Sequence, residues 1–418
     1  MPGMTRPGVA VVAQSGGPTS VINASLLGIF EEAAQHAQIT SVYGAQDGIA
    51  GILSEDFLDL TRQPAKLMLQ VGKSPSSALG SSRRELAAGD LERVIEVFSA
   101  HNVRYFLYNG GNGSMGTASQ IASAARELSY DLQVVGIPKT IDNDLLETDH
   151  TPGYPSTARF FACALRDIGA DNLALSGQVE IVEVLGRNVG WIAAATALAR
   201  RDPADAPHLI YFPECPLPAQ RFLEDVERVY RRLGRCVVAV CEGQLDESGD
   251  PFGADVRSGS RGSLAMNLAH RLAMLVSSRL RIRARSEKPG LLGRSSALSV
   301  SAVDWNEARE CGLAAVQAAV AGLGGNMVTL VRNSQEPYHA STGLAPLERV
   351  ALLERAFPDA WRNAAGNDVA PEFISYISPL VGEIEKHRLL QRHLVPKKMT
   401  AQISSGRPAE NPPSTTSA

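Results

Sequence analysis

Apolar residues in this chain gather into short unbroken runs, each stopped by a polar or glycine-rich turn. The runs are VAVVAQSGG (9–17), YFLYNGG (105–111), LQVVGIPKT (132–140), VEIVEVLGR (179–187), LIYFPE (209–214) and CVVAVCEG (236–243). They do not alternate strictly between apolar and polar positions, as expected of strands buried on both faces. Between them the apolar spacing lengthens to a helical period. Examples are SVINASLLGIFEEAAQHA after the first run, PAQRFLEDVERVYRRLG at 218–234 and GSLAMNLAHRLAMLVSSRL at 262–280. Strand alternating with helix predicts an α/β chain with mainly parallel sheets covered by helices. Ligands of such folds collect where strand C-termini meet helix N-termini. Gly, Asp, Arg and Glu concentrate at those same points here.

A length of 418 residues suffices for a large core divided between two lobes. With 44% apolar and 20% charged residues the composition is that of a soluble globular protein. A formal net charge of -4 gives no global basic field for nucleic acid. No apolar run approaches the roughly 18 residues of a membrane span, and residues 8–13 are too short for a targeting core. The five cysteines lack CxxC or zinc-like spacing and read as reduced, buried thiols, so a cytoplasmic setting is expected. From about Ala401 the chain is rich in Ser, Pro and Thr and reads as a disordered tail, as do the first six residues.

Six strand ends carry candidate chemistry. In AQSGGPTSVINAS (13–25) a strand runs into Ser15, Gly16 and Gly17 before a helix, an arrangement that lets phosphate approach free backbone N–H groups. A plain strand-to-helix turn with a Ser or Thr cap has the same sequence. The stretch YNGGNGSMG repeats the design at Gly110, Gly111, Asn112, Gly113 and Ser114. It is not a Walker loop, since no GK[ST] follows. Gly111, Gly113 and Gly116 do fit GxGxxG, but the next strand ends at Pro138, Lys139 and Thr140 without the acid a dinucleotide ribose requires. A nicotinamide oxidoreductase is therefore the disfavoured alternative. GIPKTIDNDL (136–145) sets Asp142 and Asp144 beside Lys139 and Thr140, a cluster able to hold a metal–phosphate group and deprotonate a hydroxyl. Arg187 ends EVLGR, Glu242 ends the CVVAVCEG run, and Arg285 and Arg294 flank a Pro-Gly turn in RARSEKPGLLGRS. Arginines of this kind grip phosphate in a two-pronged way, although each taken singly is more often a surface ion-pair partner.

Together SGGPTSVINA, LGSSRR (79–84), GGNGS, PKTIDND, EVLGR, CEG and PGLLGRS resemble the phosphofructokinase family, in the family's order and over roughly residues 8–380. The resemblance implies two Rossmann-like lobes with the active site in the cleft between them. It implies phosphoryl transfer to the 1-hydroxyl of fructose 6-phosphate, giving fructose 1,6-bisphosphate in glycolysis. On matching positions, Asp142 is the base that takes the hydroxyl proton, with Lys139 as its catalytic partner. Thr140, Ile141, Asp142, Leu185, Gly186, Arg187, Glu242, Arg285 and Arg294 bind the sugar phosphate. Gly16, Arg83, Gly111, Gly113 and Ser114 hold the donor phosphates, and Asp144 supports the site electrostatically. Residues 1–150 are then a donor-phosphate lobe, with the chain free to cross between lobes, and 151–330 a sugar-phosphate lobe. Residues 331–400 form a C-terminal helical segment packed on the lobes, and 401–418 a disordered tail. The active form implied is a homodimer or homotetramer.

The donor turns on two residues. Family members that use pyrophosphate carry aspartate at the Gly113 position, where ATP users carry glycine. Lys139 matches the pyrophosphate type, as does the general look of the chain. The steric argument at Gly113 is the more direct one, so ATP is the expected donor and a reversible pyrophosphate-dependent reaction the alternative. Magnesium is expected mainly on the donor's own phosphates. Asn112 replaces the family's usual metal-binding aspartate; its amide oxygen is a weaker, neutral ligand. Gln178 replaces a basic residue that in relatives reaches a neighbouring subunit's sugar phosphate. These two departures make a catalytically silent sugar-phosphate-binding protein a further alternative.

Overall fold

A computed structural model describes residues 6–253, 267–351, 353–391 and 393–396. All six apolar runs become strands: β1 (Gly8–Gln14), β4 (Val103–Gly110), β5 (Gln133–Pro138), β6 (Gln178–Val184), β7 (Leu209–Tyr211) and β8 (Cys236–Cys241). Five further strands carry weaker patterns: β2 (Ile39–Ala45), β3 (Phe57–Asp59), β9 (Arg283–Glu287), β10 (Asn326–Gln335) and β11 (Tyr338–Pro346).

Seven of these form one sheet in the order β11-β10-β5-β4-β1-β2-β3, parallel except for the antiparallel outer pairs β2/β3 and β10/β11. The other four form a parallel sheet in the order β7-β8-β6-β9. β1, β6 and β8 are buried along their whole length, which is why their sequences do not alternate. The expected helices appear as Ile22–Ala33, Ala219–Leu233 and Leu268–Leu280. The start of the third expected helix, residues 262–266, lies outside the described residues, as do residues 1–5 and the tail 401–418.

The lobes do not follow the expected boundaries. Helix Ala302–Val320 packs on Ile22–Ala33 against the seven-stranded sheet, through Leu26, Leu27, Cys311, Ala315 and Val316. The two helices touch at Gly28 and Gly312. A methyl group on either glycine would come within 2.1 Å of a backbone oxygen of the other helix. Residues 326–346, expected to straddle the second lobe and a helical segment, instead form the β10–β11 hairpin of the first sheet. β11 shows little apolar signal because it is an exposed edge, held by backbone pairing with β10 rather than by burial of its side chains. Among the described residues of the C-terminal segment, helical structure is confined to short turns and to Pro371–Val381.

All five cysteines are free, and Cys236, Cys241 and Cys311 are buried. No helix among the described residues is long and apolar enough to cross a membrane.

Candidate active site

The C-terminal ends of the two sheets face one cleft of about 970 Å³. Ser15, Gly16 and Gly17 after β1, Gly111 to Ser114 after β4, and Lys139 to Asp142 after β5 line it from the first sheet. Leu185 and Arg187 after β6, Glu242 after β8, and Leu291 and Arg294 line it from the second. Arg83 and Arg84 complete the rim. Five basic residues (Arg83, Arg84, Lys139, Arg187, Arg294) thus meet three acids (Glu85, Asp142, Glu242), a balance suited to phosphate groups.

On the first side the chain offers backbone. Helix Asn112–Glu127 starts directly after Gly111 with no side-chain cap, so its first N–H groups are free to meet an anion. Gly110 is compelled by packing: a Cβ there would stand 2.0 Å from the Ser114 hydroxyl. Gly113 differs, since a Cβ there would meet nothing within 4 Å.

Lys139 lies between the two glycine turns. It is 3% exposed, and its ammonium donates to the Gly17 carbonyl at 3.0 Å. Burial pulls its pKa down to about 8, against the opposing pull of Asp144 and Asp142. Asp142 opens into the cleft, yet protein surrounds it. Burial first, and the neighbouring Asp144 second, push its carboxyl up to about 7. That value suits a base working near neutral pH. Burial also raises Glu242.

The backbone around Asp142 is fixed locally. The Asp142 N–H donates to the Thr140 hydroxyl at 3.1 Å. The Thr151 hydroxyl donates to the Thr140 carbonyl at 2.9 Å, and the Thr151 N–H to Asn143 Oδ1 at 3.0 Å. Arg355 donates to the Asn143 carbonyl from two nitrogens. On the opposite side Arg187 adopts a left-handed backbone (φ 47°), a conformation that costs a non-glycine residue of order 1 kcal/mol.

Asn112 Nδ2 donates to Asp144 Oδ2 at 2.9 Å. The other oxygens of this pair, Asn112 Oδ1 and Asp144 Oδ1, are buried without a protein partner. An amide oxygen and a carboxylate oxygen are hard ligands of the kind magnesium takes, so the two residues fit that ion. No cluster of three or more His, Cys, Asp or Glu suited to a metal occurs among the described residues.

Of the sequence-predicted residues, Gly16, Arg83, Gly111, Asn112, Gly113, Ser114, Lys139, Thr140, Ile141, Asp142, Leu185, Arg187, Glu242 and Arg294 line the cleft, and Gly186 sits between two of them. Arg285 does not. It lies exposed on β9, in register with Glu180 of β6, away from the strand end. Gln178 opens β6 and is buried, with its Nε2 unpartnered. Seven residues separate it from Leu185, roughly 23 Å along a strand, so one protomer does not bring it to the cleft. Sequence reading missed Arg84, Glu85 and Leu291. Arg84 ends the LGSSRR stretch and Glu85 follows it directly, which was the available signal.

Comparison with known proteins adds to the geometry. Residues 9–319 match the family model described as Phosphofructokinase. The chain is 42% identical to a pyrophosphate–fructose 6-phosphate 1-phosphotransferase of Rhodospirillum rubrum, over 90% of this chain and 94% of that one. It is 37% identical to the enzyme of the same name from Xanthomonas campestris, over 90% and 91%. Its structure superposes on a crystal structure of pyrophosphate-dependent phosphofructokinase from Marinobacter aquaeolei with a TM-score of 0.83, at 35% identity and over 94% and 98% of the two chains.

These relatives overturn the expectation of ATP. The argument from Gly113 treated open space as recognition. Space there permits a nucleotide but provides no group that prefers one. The sequence feature that pointed the same way as these relatives was Lys139, which matches the pyrophosphate type. Cleft, strand-end motifs and relatives agree, and the chain belongs to the phosphofructokinase family.

Proposed function

We propose that the protein transfers a phosphoryl group reversibly from pyrophosphate to the 1-hydroxyl of fructose 6-phosphate. The observation that carries this reading is the position of Asp142 and Lys139. Both lie on the floor of one cleft, between bare glycine turns on one side and Arg187, Glu242 and Arg294 on the other. The relatives named for pyrophosphate support the choice of donor.

The donor lies along Gly16, Gly17 and Gly111 to Ser114, with backbone N–H groups and Arg83 on its oxygens. Arg187 and Arg294 hold the sugar phosphate, and Glu242 accepts from sugar hydroxyls. Asp142 takes the proton of the 1-hydroxyl as its oxygen bonds to the transferred phosphorus. The bond to the bridging oxygen breaks, and phosphate leaves. Lys139 offsets the charge that gathers on the transferred group and the leaving oxygen. Such reactions depend on positioning and charge neutralisation more than on covalent help. Asn112 and Asp144 would hold magnesium, which neutralises donor phosphate charge when bound. Arg285, exposed and remote from its own cleft, suits delivery to a second copy's sugar phosphate in a homo-oligomer.

A coupled assay with pyrophosphate and ATP at equal concentration tests the donor. Turnover at least tenfold faster with pyrophosphate, and a readily measured reverse reaction from fructose 1,6-bisphosphate and phosphate, are expected. Turnover with ATP alone overturns the donor. Binding of the sugar phosphate without turnover from either donor overturns the enzyme.

A further inference from the structure

Behind the cleft, on the far side of the 140–153 loop, lies a buried charged cluster that the reaction above does not use. His150 is fully buried. Its Nδ1 lies 2.8 Å from Asp149 Oδ2 and its Nε2 lies 2.6 Å from Glu307 Oε2. A carboxylate only accepts, so each ring nitrogen must carry a proton, and the ring is an imidazolium. Burial opposes that charge, but the bonds to Asp149 and Glu307 outweigh it and hold the pKa at about 9.

The cluster joins four parts of the chain. Glu307 comes from helix Ala302–Val320, and its second oxygen accepts from the Tyr338 hydroxyl of β11 at 2.6 Å. Arg332 of β10 donates to both oxygens of Asp149 and lies over the rings of Tyr338 and Tyr376. Tyr376 of helix Pro371–Val381 donates to the Asp149 carbonyl at 2.8 Å. Arg355 donates to the Thr148 and Asp149 carbonyls. Asp304, one turn before Glu307, accepts from the Gly153 N–H at 2.8 Å and so closes the end of the loop. The groups facing His150 are therefore Asp149, Glu307, Asp304, Arg332, Arg355, Tyr338 and Tyr376.

The neighbour of His150 is Thr151, whose hydroxyl and N–H hold Thr140 and Asn143, the residues on either side of the Ile141–Asp142 pair. A displacement of His150 therefore reaches Asp142 through one peptide unit and two hydrogen bonds. We propose that His150, as an imidazolium clasped by Asp149 and Glu307, is a positioning residue for phosphoryl transfer: its charge pins the 140–153 loop in the shape that presents Asp142 to the cleft. The inference rests on Asp142 being the base. If the ring loses a proton, one carboxylate faces a bare nitrogen lone pair, the clasp opens on that side, and Thr151 shifts with it.

The Glu307→Gln variant of the full chain keeps the size and hydrogen-bonding capacity of the side chain and removes its charge. Loss of so close an opposite charge lowers a histidine pKa by about 1–3 units, which brings His150 to or below the range in which Lys139 titrates. At pH 8 the variant is expected to lose about 2- to 100-fold in kcat, as the charged fraction of His150 falls with its pKa, with KM for both substrates within about threefold. The alkaline fall of its kcat should move at least about 0.3 pH unit lower than in the wild type. A structural contact alone would lower kcat by one factor at every pH. An unmoved alkaline limb overturns the proposal. Nitrogen NMR of the imidazoles in the wild-type enzyme tests it without mutation: His150 should be charged at pH 7.5, and a neutral ring there also overturns it. Failure of the base assignment is distinguishable, because it would show as activity retained by Asp142→Asn.

Discussion

The two faces of the cleft are built in opposite ways. The donor face is main chain: Gly16, Gly17 and Gly111 to Gly113, with an uncapped helix start and open space above Gly113. The acceptor side is side chain: buried Lys139 and half-buried Asp142, opposite in charge, with the Asp142 backbone braced by Thr140, Thr151 and Asn143. Phosphate is recognised by shape and by many weak N–H donors, so backbone serves, and one added side chain has room. Proton removal depends on one carboxylate with the right pKa at the right angle, so a whole layer of structure holds it.

The largest effect should follow from removing that carboxylate. Asp142→Asn is expected to lower kcat by at least about 10³-fold, at the upper part of the range for a general base. The same change should raise the thermal midpoint at pH 8. The folded pKa of Asp142, about 7, lies above its ordinary 3.8. The native state therefore binds more protons than the unfolded one between those values, and stability falls as pH rises through that window. The amide carries no such cost, so the gain should vanish towards pH 4. An unchanged midpoint at pH 8 would contradict the burial argument.

A moderate effect should appear in the pH profile of kcat/KM for the free enzyme. Activity should rise as Asp142 loses its proton near pH 7 and fall as Lys139 loses its own near pH 8. A steady-state profile flat from pH 6 to 9 would remove both residues from the rate-determining chemistry.

The smallest effect is expected on the donor face. Gly113→Asp fills open space and should leave turnover with pyrophosphate within about fivefold. A loss beyond a hundredfold would mean that the donor runs directly over residue 113, and that the contrast between tolerant and braced faces is too simple.

Much of this was legible in one dimension. The six strands buried along all or nearly all of their length announce themselves as apolar runs, because both of their faces must leave water. The strand-end motifs name most cleft residues, because phosphate chemistry needs Gly, Asp and Arg at turns in the chain. β9, β10 and β11 were not legible: they lie at or near sheet edges, where backbone pairing does not require apolar side chains. The sequence likewise offered Arg285 as a ligand, since adjacency in RARSEKPGLLGRS does not reveal that the chain passes along an edge strand before it reaches the cleft at Arg294.

The sequence by itself therefore determined the alternation of strand and helix, the chemistry of the turns and the family. Only the tertiary structure decided which turns share a cleft, that residues 302–346 return to the first sheet, and that His150, Glu307, Arg332 and Tyr338 meet behind Asp142. The reason is physical. Local burial and turn conformation are set by neighbouring residues, whereas charge compensation inside a protein is set by groups up to hundreds of residues apart that only the folded chain brings within hydrogen-bond reach.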